Sequence, residues 1–178
     1  MSILKVARMG HPVLRRPARP VEVDEIAQPW FQELVDDMID TMKEYNGVGL
    51  AAPQVHEGVR VFVAALGAED GDRDEVLVIV NPEIEPAGPE DVEGWEGCLS
   101  VPDVRGLVPR AEEIQVRGID RTGRGLQLKA SGFGARVIQH EVDHLDGVLF
   151  LDRMRSLETL TYLDEYSRFW APDEKTDE

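Results

Sequence analysis

Apolar residues fall three and four apart after Pro29, at Phe31, Leu34, Val35, Met38, Ile39 and Met42, with charged residues between them and Asn46-Gly47 as a stop. This spacing predicts a long amphipathic helix with one buried stripe. The period then changes. Short extended runs occupy 59–66 and 75–81, and again 113–119 and 125–129, the last two flanking Asp120-Arg121-Thr122-Gly123 as a turn between antiparallel strands. Helical spacing returns over 135–145 and is closed by Gly147. Residues 148–151 read as a return to strand, and 157–169 as a final helix. A helix, several antiparallel strands and then helices predict an α+β domain. The helix over 135–145 is expected to pack at its centre, against the strands.

Composition narrows the class. The chain has 178 residues, 42% of them hydrophobic, which suffices for a buried core without disulfides. Residues 1–170 are expected to form one catalytic domain, and 171–178 an acidic, disordered tail. No apolar run is long enough to span a bilayer, and the first twenty residues lack a continuous signal-peptide core. Arg8, Arg15, Arg16 and Arg19 make that segment basic, but its three prolines favour a folded start, so a cytoplasmic location is expected. Acidic residues outnumber basic ones 35 to 19, for a net charge of -16. Such a field disfavours stable binding to nucleic acid.

Against that background, residues 140–144 read His140-Glu141-Val142-Asp143-His144. On a helix, histidines four apart project from one face, so both imidazoles can reach one ion, with Glu141 beside them to serve a water. A solvated, charged helix face is the plain alternative. The single cysteine, Cys98, sits in Glu96-Gly97-Cys98-Leu99-Ser100. It cannot close an internal disulfide, which leaves an inert core thiol or a ligand. One thiolate and two imidazoles leave a fourth position open, the arrangement of a catalytic site rather than a structural one. A third stretch, Gly47-Val48-Gly49-Leu50-Ala51-Ala52-Pro53-Gln54, reads either as a small-residue loop or as a backbone that a peptide can approach. In the second reading Gln54 is able to donate to a developing oxyanion.

In their order along the chain, GVGLAAPQ, EGCLS and HEVDH resemble the three motifs of the peptide deformylases, and the resemblance runs from about Val6 to Arg153. It implies an α+β fold with antiparallel strands around a central histidine-bearing helix. The implied reaction is hydrolysis of the N-formyl group from the initiating methionine of new polypeptides, giving formate. Carried over residue by residue, it implies Cys98, His140 and His144 as metal ligands and Glu141 as acid and base. Gln54 and the Leu99 N–H would meet the oxyanion, and Val48 and Gly49 would form the strand edge that pairs with substrate. Gly97 and Arg105 would lie on the substrate side, with Arg110 as a second basic position open to ion pairing with Glu96. Val137, one helical turn before His140 and Glu141, is placed at the methionine pocket. The implied cofactor is one divalent ion, Fe(II) first, with Zn(II), Ni(II) or Co(II) able to take the site.

Two alternatives remain at this point: a metallopeptidase acting on unformylated peptides, and an inactive, metal-stabilised binding module. N-formylmethionyl peptides and nascent chains are the expected partners, with transient proximity to the ribosome. Docking there through the C-terminal end is disfavoured by Glu158, Asp164, Glu165 and Asp173. His11 and His56 are expected to be structural or exposed, and Trp95 either walls the cleft or fills the core.

Overall fold

A computed structural model describes residues 2–66, 76–88 and 91–171. In chain order its elements are α1 (Val23–Ile26), α2 (Pro29–Glu44), β1 (Gly49–Ala51), β2 (Val61–Ala64), β3 (Leu77–Pro86), β4 (Asp91–Cys98) and β5 (Val101–Ala111). Then follow β6 (Glu113–Ile119), β7 (Gly125–Ser131), α3 (Gly132–Leu145), α4 (Phe150–Arg153), β8 (Thr161–Tyr162) and α5 (Leu163–Phe169). The strands form two antiparallel sheets, ordered β1-β2-β3-β6-β7 and β4-β5-β8. The expected α+β architecture is present, with the histidine-bearing helix at its centre.

Helix α2 begins with Pro29 in its first turn, where the missing N–H costs nothing. It buries Phe31, Val35, Met38 and Met42 against the larger sheet. Each such side chain contributes about 1.5–3 kcal/mol on leaving water. The run Val61–Ala64 is apolar throughout because β2 is covered on both faces. Val61 and Val63 face the α2 cluster, whereas Phe62 and Ala64 face the cluster built on Ile138, Val142 and Leu145 of α3. Strand alternation thus lets one segment support two helices. Consequently α3 is enclosed, with Val137 through Leu145 buried.

Two expectations need correction. Residues 148–151 do not return to a strand: Phe150 opens α4, whose start is held by Asp152 accepting from the Leu149 N–H at 2.7 Å. That cap offers the backbone a partner no neighbouring strand provides. The helix expected over 157–169 is broken into a 3-10 turn (Leu157–Thr159), β8 and the short α5. Thr159 and Thr161 are weak helix formers, and the open edge of β5 captures residues 161–162 instead. Of the two readings of Gly47–Gln54, the strand edge fits and the plain loop does not, since Gly49–Ala51 pairs with β2 and residues 52–55 form a 3-10 turn. The hairpin β4-β5 carries no clear hydrophobic alternation and was not anticipated. Glu75, the expected start of the second strand, lies outside the described residues, as does the tail from Pro172.

Candidate metal centre and active site

A register shift and a tight turn bring Cys98 to α3. The β4-β5 ladder shifts between Glu96 and Cys98, and Cys98 then pairs with Val101 across the tight turn Leu99-Ser100. Such a shift re-aims a side chain at a hairpin tip. The N-terminal segment clamps both flanks, with Ala7 N–H donating to Gln54 O and Met9 N–H to Ser100 O, each at 2.7 Å. Cys98 Sγ lies 3.2 Å from His144 Nε2, and the rings of His140 and His144 stand edge to face at 4.9 Å. One ligand atom from each of Cys98, His140 and His144 falls within 4.8 Å of the others.

The surroundings suit a cation. Burial alone would raise the Cys98 thiol, but the charge on His144 and hydrogen bonds from both histidines hold it well below the usual thiol range. Glu96 accepts from His140 Nδ1 at 2.9 Å, which fixes that proton and leaves Nε2 available to a cation. Glu96 is itself clamped by Arg110 through Nε and Nη2 at 2.9 and 3.0 Å, and by Arg136 at 3.0 Å. Although burial opposes it, the hydrogen bonds and charges of His140 and Arg110 keep the Glu96 carboxyl down at about 2. Arg110 also donates to Asp143, which Arg153 reaches at 2.7 Å. Phe150 stacks beside His140 with centroids 6.3 Å apart.

Glu141 stands next to the three donors without being one of them. Burial pushes its carboxyl up to about 7, against the pull of His140 and His144, and its Oε2 is buried without a hydrogen-bond partner. Its place depends on Gly49, because a Cβ there would strike the Glu141 carboxyl group, with Cδ at only 2.8 Å. Gln54 is oriented by its own backbone: Oε1 accepts from Ala51 N–H at 2.8 Å, so Nε2 faces Ser100 Oγ at 3.3 Å and Cys98 Sγ at 3.6 Å.

These groups line one cavity of about 970 Å³. Gln54, Cys98, Leu99, His140 and Glu141 form its reactive end, and Val48, Gly49, Gly97, Arg105 and Val137 extend it, while His144 lies behind Cys98. β1 is the edge strand of its sheet and Val48 is half exposed beside it, so a free strand edge does face the cavity. Arg110 is not a substrate group but a buried partner of Glu96. Trp95 lines the cleft, and His11 packs edge to face on His56 away from it. Asp143, Arg136 and Ser100 escaped the sequence reading. Asp143 lies inside the HEVDH motif, but its role appears only once Arg110 and Arg153 are seen to converge on it.

Comparison with known proteins agrees with this geometry. A sequence model described as polypeptide deformylase matches residues 3–160. A peptide deformylase of Nostoc sp. is 43% identical over 98% of this chain and 98% of its own, and one from Bordetella pertussis is 46% identical over 89% and 92%. Among solved structures, a Met-Ala-Ser-bound class I type b peptide deformylase from Acinetobacter baumannii aligns with a TM-score of 0.80 at 43% identity, over 86% of this chain and 99% of that one. The Thermotoga maritima enzyme aligns with a TM-score of 0.79 at 38% identity, over 88% and 100%. The chain belongs to the polypeptide deformylase family.

Proposed function

We propose that the cavity hydrolyses the formyl group of N-formylmethionyl peptides with the residues assigned below, and that residues 1–170 act as its single catalytic unit. The observation that carries this assignment is the convergence of one sulfur and two imidazole donors within 4.8 Å, beside a buried carboxyl that is not a ligand. Cys98, His140 and His144 hold one divalent ion, Fe(II) in the cell, with Zn(II), Ni(II) and Co(II) as substitutes. When bound, that ion supplies Lewis acidity and makes hydroxide available near neutral pH.

Glu141 takes a proton from the attacking water, for which a carboxyl poised near 7 is matched to the operating pH. Negative charge then grows on the former formyl oxygen. Gln54 Nε2 and the Leu99 N–H meet it, each donor being worth about 3 kcal/mol in the transition state. Glu141 returns the proton to the amine nitrogen as the C–N bond breaks, leaving formate and a free N-terminus. Val48 and Gly49 pair with the peptide backbone, and Val137 lines the methionine pocket. The formyl carbon bears only hydrogen, so this tight reactive end admits it while rejecting acetyl.

The substrate reaches the enzyme as a nascent chain, in transient proximity to the ribosome and in the cytoplasm. No helix among the described residues is long and apolar enough to cross a membrane. Formate release from formyl-Met-Ala-Ser tests the reading, with the protein loaded separately with Fe(II) and Ni(II) and both exposed to air. The iron form should release formate and lose activity first, because iron and the adjacent thiolate are open to oxidation. Cleavage of unformylated peptides without formate would favour the metallopeptidase instead.

A further inference from the structure

The sequence model matches residues 3–160, and beyond it the chain continues into β8 and α5, which brings Leu163 to the cavity. β8 pairs with β5 at Arg105↔Thr161 and Val104↔Tyr162. This pairing delivers α5 to the rim of the cleft. Tyr166 meets Trp95 edge to face at 4.9 Å, Trp170 tilts against the same indole at 5.6 Å, and the Arg105 guanidinium carbon sits 5.2 Å from the Tyr166 ring centre. Leu163, 43% exposed, lines the cavity that also holds Cys98 and Glu141.

Arg105 is held by the Tyr166 ring and keeps one unsatisfied donor. Its Nε is buried and has no hydrogen-bond partner. Its Nη1 lies 3.7 Å from where a Cβ on Gly97 would stand, one residue before the ligand sulfur. An unpaired buried donor is costly, and the cost falls when an acceptor arrives. The cavity volume of about 970 Å³ is at the top of the roughly 300–1,000 Å³ range of ligand sites, leaving room beyond formyl-methionine.

We propose, on the basis of the deformylase reading, that β8 and α5 form a wall selecting for the peptide beyond methionine. Tyr166 is a positioning residue: its ring holds the Arg105 guanidinium beside Gly97, where the guanidinium donates to a carbonyl or carboxylate oxygen of the residues that follow the formylated methionine. Leu163 packs against the same part of the peptide.

The test uses the full metal-loaded chain and two substrates, formyl-Met-Ala-Ser and formyl-methionine methylamide, which ends at the first residue. Tyr166→Leu should raise KM for the tripeptide about fivefold through loss of the cation–π contact, with kcat retained and the short substrate unaffected. Tyr166→Phe keeps the ring face and should restore wild-type KM. Leu163→Ser, at an exposed position that does not endanger folding, should repeat the selective rise. Equal changes on both substrates, or no change on the tripeptide, would overturn the proposal. A wild-type chain releasing no formate from either substrate would remove the deformylase reading, and this inference with it.

Discussion

Glu141 and Gln54 are the two residues whose surroundings most constrain their chemistry. Glu141 is buried, lies among histidines it does not need to join, and fits only because residue 49 has no side chain. Glu141→Gln is therefore expected to keep one metal per chain while losing kcat by about a hundredfold or more. Metal analysis run beside the formate assay checks this; loss of metal with full activity per remaining ion would make Glu141 a ligand instead. Gln54 spends its carbonyl oxygen on Ala51 N–H, so its amide hydrogens are turned toward the reacting end. Gln54→Leu should lower kcat and kcat/KM together with little change in KM, as steady-state kinetics would show. A raised KM at constant kcat would reduce Gln54 to ordinary substrate binding.

At the scale of elements, the joint between α3 and the β4-β5 hairpin decides whether the ligands meet. It is a polar joint. Arg110 on β5 bridges Glu96 on β4 and Asp143 on α3, with all three side chains buried. Removing one partner from a buried ion network leaves charge without compensation, which costs more than the intact network contributes. Arg110→Met is expected to destabilise the fold by about 3 kcal/mol, the lower end of the usual range, because Arg136 still reaches Glu96 and Arg153 still reaches Asp143. Denaturant unfolding measures it. A loss below about 1 kcal/mol would mean that the joint is held by its apolar contacts instead.

Across the whole molecule, the metal site is assembled by bonds within the protein. Glu96 orients His140, Gln54 and Ser100 contact Cys98, and large apolar clusters built on α2 and α3 hold the surrounding fold. Small zinc domains unfold without their ion because they lack such a core. Chelation here should abolish formate release while leaving far-UV circular dichroism unchanged, and Ni(II) should restore activity. Collapse of the dichroism on chelation would show that the ion holds the fold together.

Much of this was legible along the chain, and the limits of legibility have physical causes. The stripe Phe31 to Met42 specifies a helix because burial repeats at its period, and the run 61–64 specifies a strand covered on both faces. His140 and His144 are local to one helix, so sequence spacing alone aligns them. Cys98 is different: donor chemistry and the family resemblance linked it to the histidines, but its approach depends on a register shift that no local pattern encodes. In the β4-β5 hairpin glycines and charged residues interrupt the apolar positions, so no clean alternation marks the strands, which cross-strand pairing, buried Val101 and Val108, Arg110 and Arg136 hold together. Residues 157–169 have the period of a helix, but the vacant edge of β5 draws Thr161 and Tyr162 into a strand. Local periodicity determined the α+β class, the central helix and the donor types. Only tertiary structure decided which distant groups share a charge, which strand edge stays open and where the C-terminal segment comes to rest, because those depend on partners far along the chain.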